Sequence, residues 1–158
     1  MSSELSELLE ALAAAPAKIQ DLLNHASAEQ LQRHGASGEF SCVESVCHLR
    51  DIEAEAYAAR INRILGEDWP LLPDIDGGRL AVERDYNNQD VHEALRAFSR
   101  ARKENLASVN GLDADQLRRG GTLEGVGAIT LQQLLAMMRD HDNGHMMDIE
   151  RILRPQAG

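Results

Sequence analysis

His141 and His145 stand four residues apart in a segment, Leu131 to Ile152, whose apolar positions Leu131, Leu134, Leu135, Met138, Ile149 and Ile152 recur at helical spacing. At ~100° per residue, the positions that carry this stripe from Met138 to Ile149 are His141, Asp142 and His145. Two imidazoles therefore occupy sites where a core helix ordinarily places leucines, and they turn inward. Residues at i and i+4 share a face with Cβ atoms ~5–6 Å apart, which lets two imidazole nitrogens converge on one cation at ~2.0–2.1 Å. His48 lies one turn before Ile52 and Ala56 on another periodic segment, and it supplies a third inward imidazole. Three histidines with open coordination positions match catalytic zinc sites better than closed structural ones. Imidazole also suits nickel, copper and ferrous iron, so the expected cofactor is a divalent ion, zinc or nickel foremost.

Blander roles compete with this one. A lone inward histidine is more often a hydrogen-bonded core residue than a ligand, and Asn143-Gly144 has the form of a turn that would splay the pair apart. The apolar period resumes at Met146, Ile149 and Ile152, which favours an unbroken helix, although Gly144 costs ~1 kcal/mol relative to alanine there. His25, His34 and His92 fall at loop or solvent-facing positions. Asp51, three residues after His48, and Asp142, beside His141, are the candidate catalytic groups. Either could accept the free N–H of a ligating imidazole or act as a base on water activated by the metal. Helix capping and surface solvation are equally available roles for both.

The elements that must position these residues are helical. Ala, Leu, Glu, Gln and Arg dominate the long segments, β-branched residues rarely alternate with polar ones, and aromatic residues make up 3% of the chain. A first helical stripe runs from Ser3 through Leu5, Leu8, Leu12, Ile19 and Leu23, with Pro16 expected to interrupt or kink it. Asn24 to Ala26 can end this helix, and Ser27 with Gln30 can open a further short turn through Leu31. Ser41-Cys42-Val43-Glu44 has the form of a capping box ahead of a second helix that Gly66 stops. Asn88 to Asp90 can cap a third, ending before Gly111, and Thr130 with Gln133 opens the fourth, which Pro155 closes. Between them, Trp69 to Gly78 and the glycine-rich Gly120 to Gly127 are expected as loops. The first is long enough to carry function or cover a site. Four long helices with three connections imply an all-α, four-helix bundle as a single domain over residues 1–158, with a loose tail from Arg154 to Gly158.

Composition narrows the function classes. With 16 Lys+Arg against 26 Asp+Glu, the formal charge of −10 repels a phosphate backbone, so no nucleic-acid partner is expected. No run reaches the ~18–20 apolar residues of a membrane span, and no secretory leader is recognisable, so a cytoplasmic protein without a membrane partner is expected. Cys42 and Cys47 lie five residues apart within one helix, roughly 7.5 Å along its axis. That separation is beyond comfortable disulfide reach, and two reduced thiols suit a reducing compartment.

Phe40-Ser41-Cys42-Val43-Glu44, leading to His48-Leu49-Arg50-Asp51-Ile52-Glu53, resembles the second-helix signature of the DinB-like (DinB/YfiT) family. Gly127-Ala128-Ile129-Thr130-Leu131, leading to His141-Asp142-Asn143-Gly144-His145, resembles its last-helix signature. The likeness spans roughly residues 5 to 153. Phe40 stands where a tryptophan is common, and Leu123 where some members carry a histidine. The resemblance implies an up-down-down-up four-helix bundle, commonly a homodimer, with a divalent metal held by His48, His141 and His145.

The family includes bacillithiol- and mycothiol-linked transferases. The resemblance therefore implies a metal-dependent enzyme that presents a small-molecule thiol to an electrophile. Two other functions stay open: a metal-dependent hydrolase using the same site, and a non-catalytic metal-binding or stress-associated dimer. His141-Asp142-Asn143-Gly144-His145 has the outline of H-E-x-x-H with Asp for Glu, but the shorter carboxylate argues against a zincin protease. The paired Glu-x-x-His ligands of di-iron carboxylate bundles are missing.

Overall fold

A computed structural model of the chain describes residues 2–155. The first helix, α1 (Ser3–Leu23), is capped by the Ser2 hydroxyl, which accepts from the Leu5 N–H. It runs through Pro16 without interruption and buries that residue. A proline cannot donate to the carbonyl four residues back, so the Leu12 carbonyl is left without a helical donor. Arg102 fills the gap, donating from NH1 to Leu12 O at 2.8 Å. The short α2 (Ala28–Gln32) follows, with Ser27 and Gln30 forming the capping box that their spacing predicts.

Residues 42–66 form one rod in three pieces: α3 (Cys42–Asp51), a π-helical turn (Ile52–Tyr57) and α4 (Ala58–Gly66). Ser41 and Glu44 cap it reciprocally, as expected. Next come α5 (Gly77–Glu83), α6 (Val91–Val109) capped by Asp90, α7 (Ala114–Arg118) and α8 (Leu131–Leu153) capped by Thr130 and Gln133. Of the expected loose tail, residues 156–158 lie outside the described residues.

The two segments expected as loops contain a small sheet. β1 (Leu71–Leu72) pairs in parallel with β2 (Gly120–Leu123), and β2 pairs antiparallel with β3 (Gly127–Thr130). Strands of two to four residues, rich in glycine, show no alternation of apolar and polar residues to read. Gly121 sits where a Cβ would meet Pro70 O at 2.6 Å, so the close approach of the two segments excludes any side chain there.

The direction of each long helix follows from contacts at its ends. Arg33, just past α2, donates to Ile152 O near the end of α8, and Leu23 at the end of α1 shares a core cluster with Ile149. Ser41 bonds Asn87 near the starts of α3 and α6, and Arg119 bonds Ile64 O at the far end of α4. Leu5 and Leu8 share a core cluster with Ile61, Ile64, Val109 and Leu131, so α1 and α8 begin where α4 and α6 finish. This is the up-down-down-up bundle. A second cluster, with Ile19, Val46, Leu95, Phe98 and Ile149, fills the other half. Between the two apolar halves lies a polar layer at mid-height of all four helices. Among the described residues, no helix is long and apolar enough to cross a membrane.

Candidate metal centre

His48 reaches the polar layer from α3, and His141 and His145 reach it from α8. One ring nitrogen from each lies within 4.8 Å of the others, and the Nε2 atoms of His48 and His141 are 3.1 Å apart. Two imidazoles sharing a tetrahedral ion at ~2.0–2.1 Å hold their nitrogens ~3.3 Å apart, so the spacing fits a common cation. Helix α8 passes through Asn143-Gly144 unbroken, which keeps His141 and His145 on one face with ring centroids 4.7 Å apart.

Ordinary core histidines would be hydrogen-bonded at both ring nitrogens. His48 and His141 approach each other through Nε2, but the Nδ1 atoms of His48, His141 and His145 are enclosed and have no hydrogen-bond partner among the described residues. An enclosed polar group without a partner costs ~1–3 kcal/mol. Burial, then the neighbouring His145, pushes the His48 pKa down to about 4. Burial, then His145 and His48, pushes that of His141 down to about 3, and burial lowers that of His145. The three rings are therefore neutral at ordinary pH, which is the form a metal ion requires.

Aromatic walls enclose the cluster. Phe40 lies 5.5 Å from the His48 ring and stacks on His145 at 6.4 Å, while Tyr57 meets His141 edge-on at 6.1 Å. Gly77, at the start of α5, lies against His48, and a Cβ there would come within 2.5 Å of its Cε1 atom. The segment from Trp69 to Gly78 thus covers the site. His48 and His141 open onto a pocket of about 270 Å³, whose lining includes Tyr57, Arg60, Asp74 and Leu123. The remaining histidines lie apart, with His25, His34 and His92 exposed. Cys42 and Cys47 are buried free thiols, their pKa values pushed up to about 11 by burial.

Neither candidate aspartate hydrogen-bonds to an imidazole among the described residues. Asp51 accepts from Arg50 Nε at 2.7 Å, Arg84 NH1 at 2.9 Å and the Tyr86 hydroxyl at 2.5 Å. Asp142 faces Arg102, accepting from NH1 at 2.7 Å and NH2 at 2.9 Å. The other edge of the guanidinium meets Glu53 at 2.9 and 2.8 Å, and Asn105 binds both the carboxylate and the carbonyl of Glu53. From sequence, no role fell to Glu53, which stood only within the second-helix signature, or to Arg102 and Asn105, although a signal for the last two was present. Phe98, Arg102, Asn105 and Val109 recur at helical spacing, so two polar residues interrupt an apolar stripe just as His141 and His145 do. Tyr57, Arg60 and Gly77 gave no comparable signal.

The bundle and its triad define a class: helical proteins that offer a divalent cation three imidazoles from facing helices. The DinB superfamily matches residues 11–149, and the chain belongs to that superfamily. The structure is similar to that of YfiT from Bacillus subtilis, with a TM-score of 0.89 and 22% identity over 96% of this chain and 87% of that one. YfiT was described as a probable metal-dependent hydrolase with an unusual four-helix bundle topology. No curated protein matches the chain in sequence.

Proposed function

We propose that the protein is a divalent-metal-dependent thiol S-transferase, which joins a small-molecule thiol through its sulfur to an electrophile. One observation carries this reading: three neutral imidazoles converge beside a pocket, and the two aspartates nearest in sequence are held by arginines. His48, His141 and His145 would hold a zinc or nickel ion, whose Lewis acidity would let a thiol ionise near neutral pH with its proton passing to solvent. The thiol sulfur would form a bond to the electrophilic carbon, whose leaving group would depart with the electron pair. Phe40 and Tyr57 keep the reacting face apolar, which favours a weakly hydrated sulfur nucleophile.

Hydrolysis is the second reading, favoured by the description of YfiT. It would use the same triad, with neither Asp51 nor Asp142 free to serve as base. We further propose a cytoplasmic homodimer, in keeping with the family resemblance and the buried free thiols.

Protein loaded with zinc or nickel is offered thiol and electrophile pairs and, separately, esters and amides. Metal-dependent S-conjugation that disappears in His48→Ala, with the helical content unchanged, supports the first reading. Hydrolysis alone supports the second. No turnover, with metal raising only the melting temperature, assigns the protein to non-catalytic metal binding.

A further inference from the structure

Arg60 is 8% exposed, yet its Nε atom is enclosed with no acceptor among the described residues. Among the described residues its one hydrogen bond runs from NH2 to Pro73 O at 3.1 Å, which leaves the NH1 donors unused as well. Asp74 is 3.9 Å away, too far for a hydrogen bond, and its side chain is 68% exposed. A buried guanidinium without a close carboxylate is uncommon, because an uncompensated buried charge is costly. Arg60 also lines the pocket onto which His48 and His141 open. Its guanidinium lies over the Tyr57 ring at 5.6 Å, and the same ring meets His141 edge-on at 6.1 Å. Tyr57 therefore touches both the cation and the triad.

The π-helical turn creates this juxtaposition. Twelve residues at ~100° each would place Arg60 about 120° around the helix from His48. A π-turn absorbs one residue beyond the regular helix, which cuts the offset to about 20°. The Ala58 N–H accordingly bonds Glu53 O, five residues back. Arg60 thus returns to the face that carries His48.

We propose that Arg60 is the carboxylate-binding residue of this pocket, and that the ligand is a small monocarboxylate whose reacting atom lies at the triad. The proposal rests on the reading of this pocket as the substrate site. A ligand carboxylate would pair with the guanidinium at its NH1 donors, which have no partner among the described residues, and more closely than Asp74 does at 3.9 Å. Asp74 and the exposed Glu124 stand at the rim, and their charge selects against further negative groups on the ligand.

Two probes test it. In metal-free protein carrying ¹⁵N-arginine, propionate shifts the Arg60 Nε–H resonance and propionamide does not; no response to propionate would falsify the proposal. In cobalt-loaded protein, thiolate absorption reports binding of 3-mercaptopropionate and its neutral isostere 3-mercaptopropionamide. The acid binds at least tenfold more tightly than the amide, and the ratio falls to near one in Arg60→Gln. Equal affinities in the wild type, or a ratio that survives the substitution, overturn the assignment. If neither thiol produces the cobalt band while propionate still shifts Arg60, sulfur transfer fails and the carboxylate site stands.

Discussion

Asp142 adjoins His141 in sequence, but both of its carboxylate oxygens are taken by Arg102, at 2.7 and 2.9 Å. The same guanidinium grips Glu53 with its other edge and the Leu12 carbonyl left free by Pro16. One guanidinium serves two buried carboxyl groups at the level of the imidazoles. Burial raises the Asp142 pKa against the pull of Arg102, while hydrogen bonds to both carboxylates outweigh burial and make Arg102 hold its proton more tightly. The layer ties α1, the π-helical turn after α3, α6 and α8 together at the height of the triad.

Removing Arg102 strands two buried carboxylates and one carbonyl. Arg102→Met is expected to lose ~3–5 kcal/mol of stability, the range seen when one partner of a buried ion pair is deleted. Urea denaturation followed by circular dichroism measures it, and a loss below ~1 kcal/mol would mean that the layer contributes little to stability.

Metal content is the most direct check on the triad. Protein purified without a histidine tag or chelator is expected to hold close to one divalent ion per chain, and His141→Ala/His145→Ala to hold none. Elemental analysis reads both. Binding to the folded form alone also raises the melting temperature as metal is added.

Gly77 tests how tightly His48 is held. In Gly77→Ala the new methyl meets His48 Cε1 at 2.5 Å and Nδ1 at 2.7 Å, whereas the nearest atom to a Cβ at Gly78 is Asp76 Oδ1 at 3.6 Å. The imidazole or the start of α5 must move in the first variant, so metal affinity is expected to drop at least ~10-fold there, as for lost supporting contacts at other metal sites. Gly78→Ala should bind as the wild type does. Competition with a chelator gives both values.

Acid should weaken the metal-free fold through the same histidines. The folded pKa values of about 4 for His48 and about 3 for His141 lie below the ordinary 6.5, so the unfolded chain binds protons that the folded chain refuses. Their contribution is full above pH 6.5, shrinks as pH falls towards 4, and levels off below the folded values. The urea midpoint of metal-free protein is expected to fall over that interval, and less so in His48→Ala/His141→Ala. An equal slope in the variant would show that other groups carry the acid sensitivity.

Local sequence was enough to determine the four long helices, the caps of the last three and the inward direction of the three histidines. Periodicity and the Ser27, Ser41 and Thr130 capping boxes act within one or two turns, so they need no knowledge of the rest of the chain. Pairings between distant segments are set by three-dimensional packing. The β1–β2–β3 sheet joins residues about fifty positions apart, and its short glycine-rich strands carry no pattern. The partners of Asp51 and Asp142 are arginines and Tyr86, contributed mainly by other segments, so proximity in sequence to His48 and His141 was a poor guide to their hydrogen bonds. Arg60 is the sharpest case. A regular helix would carry it away from His48, and one extra residue in the π-turn, stabilised by the Asn105 contact to Glu53 O from α6, brings it back to the site.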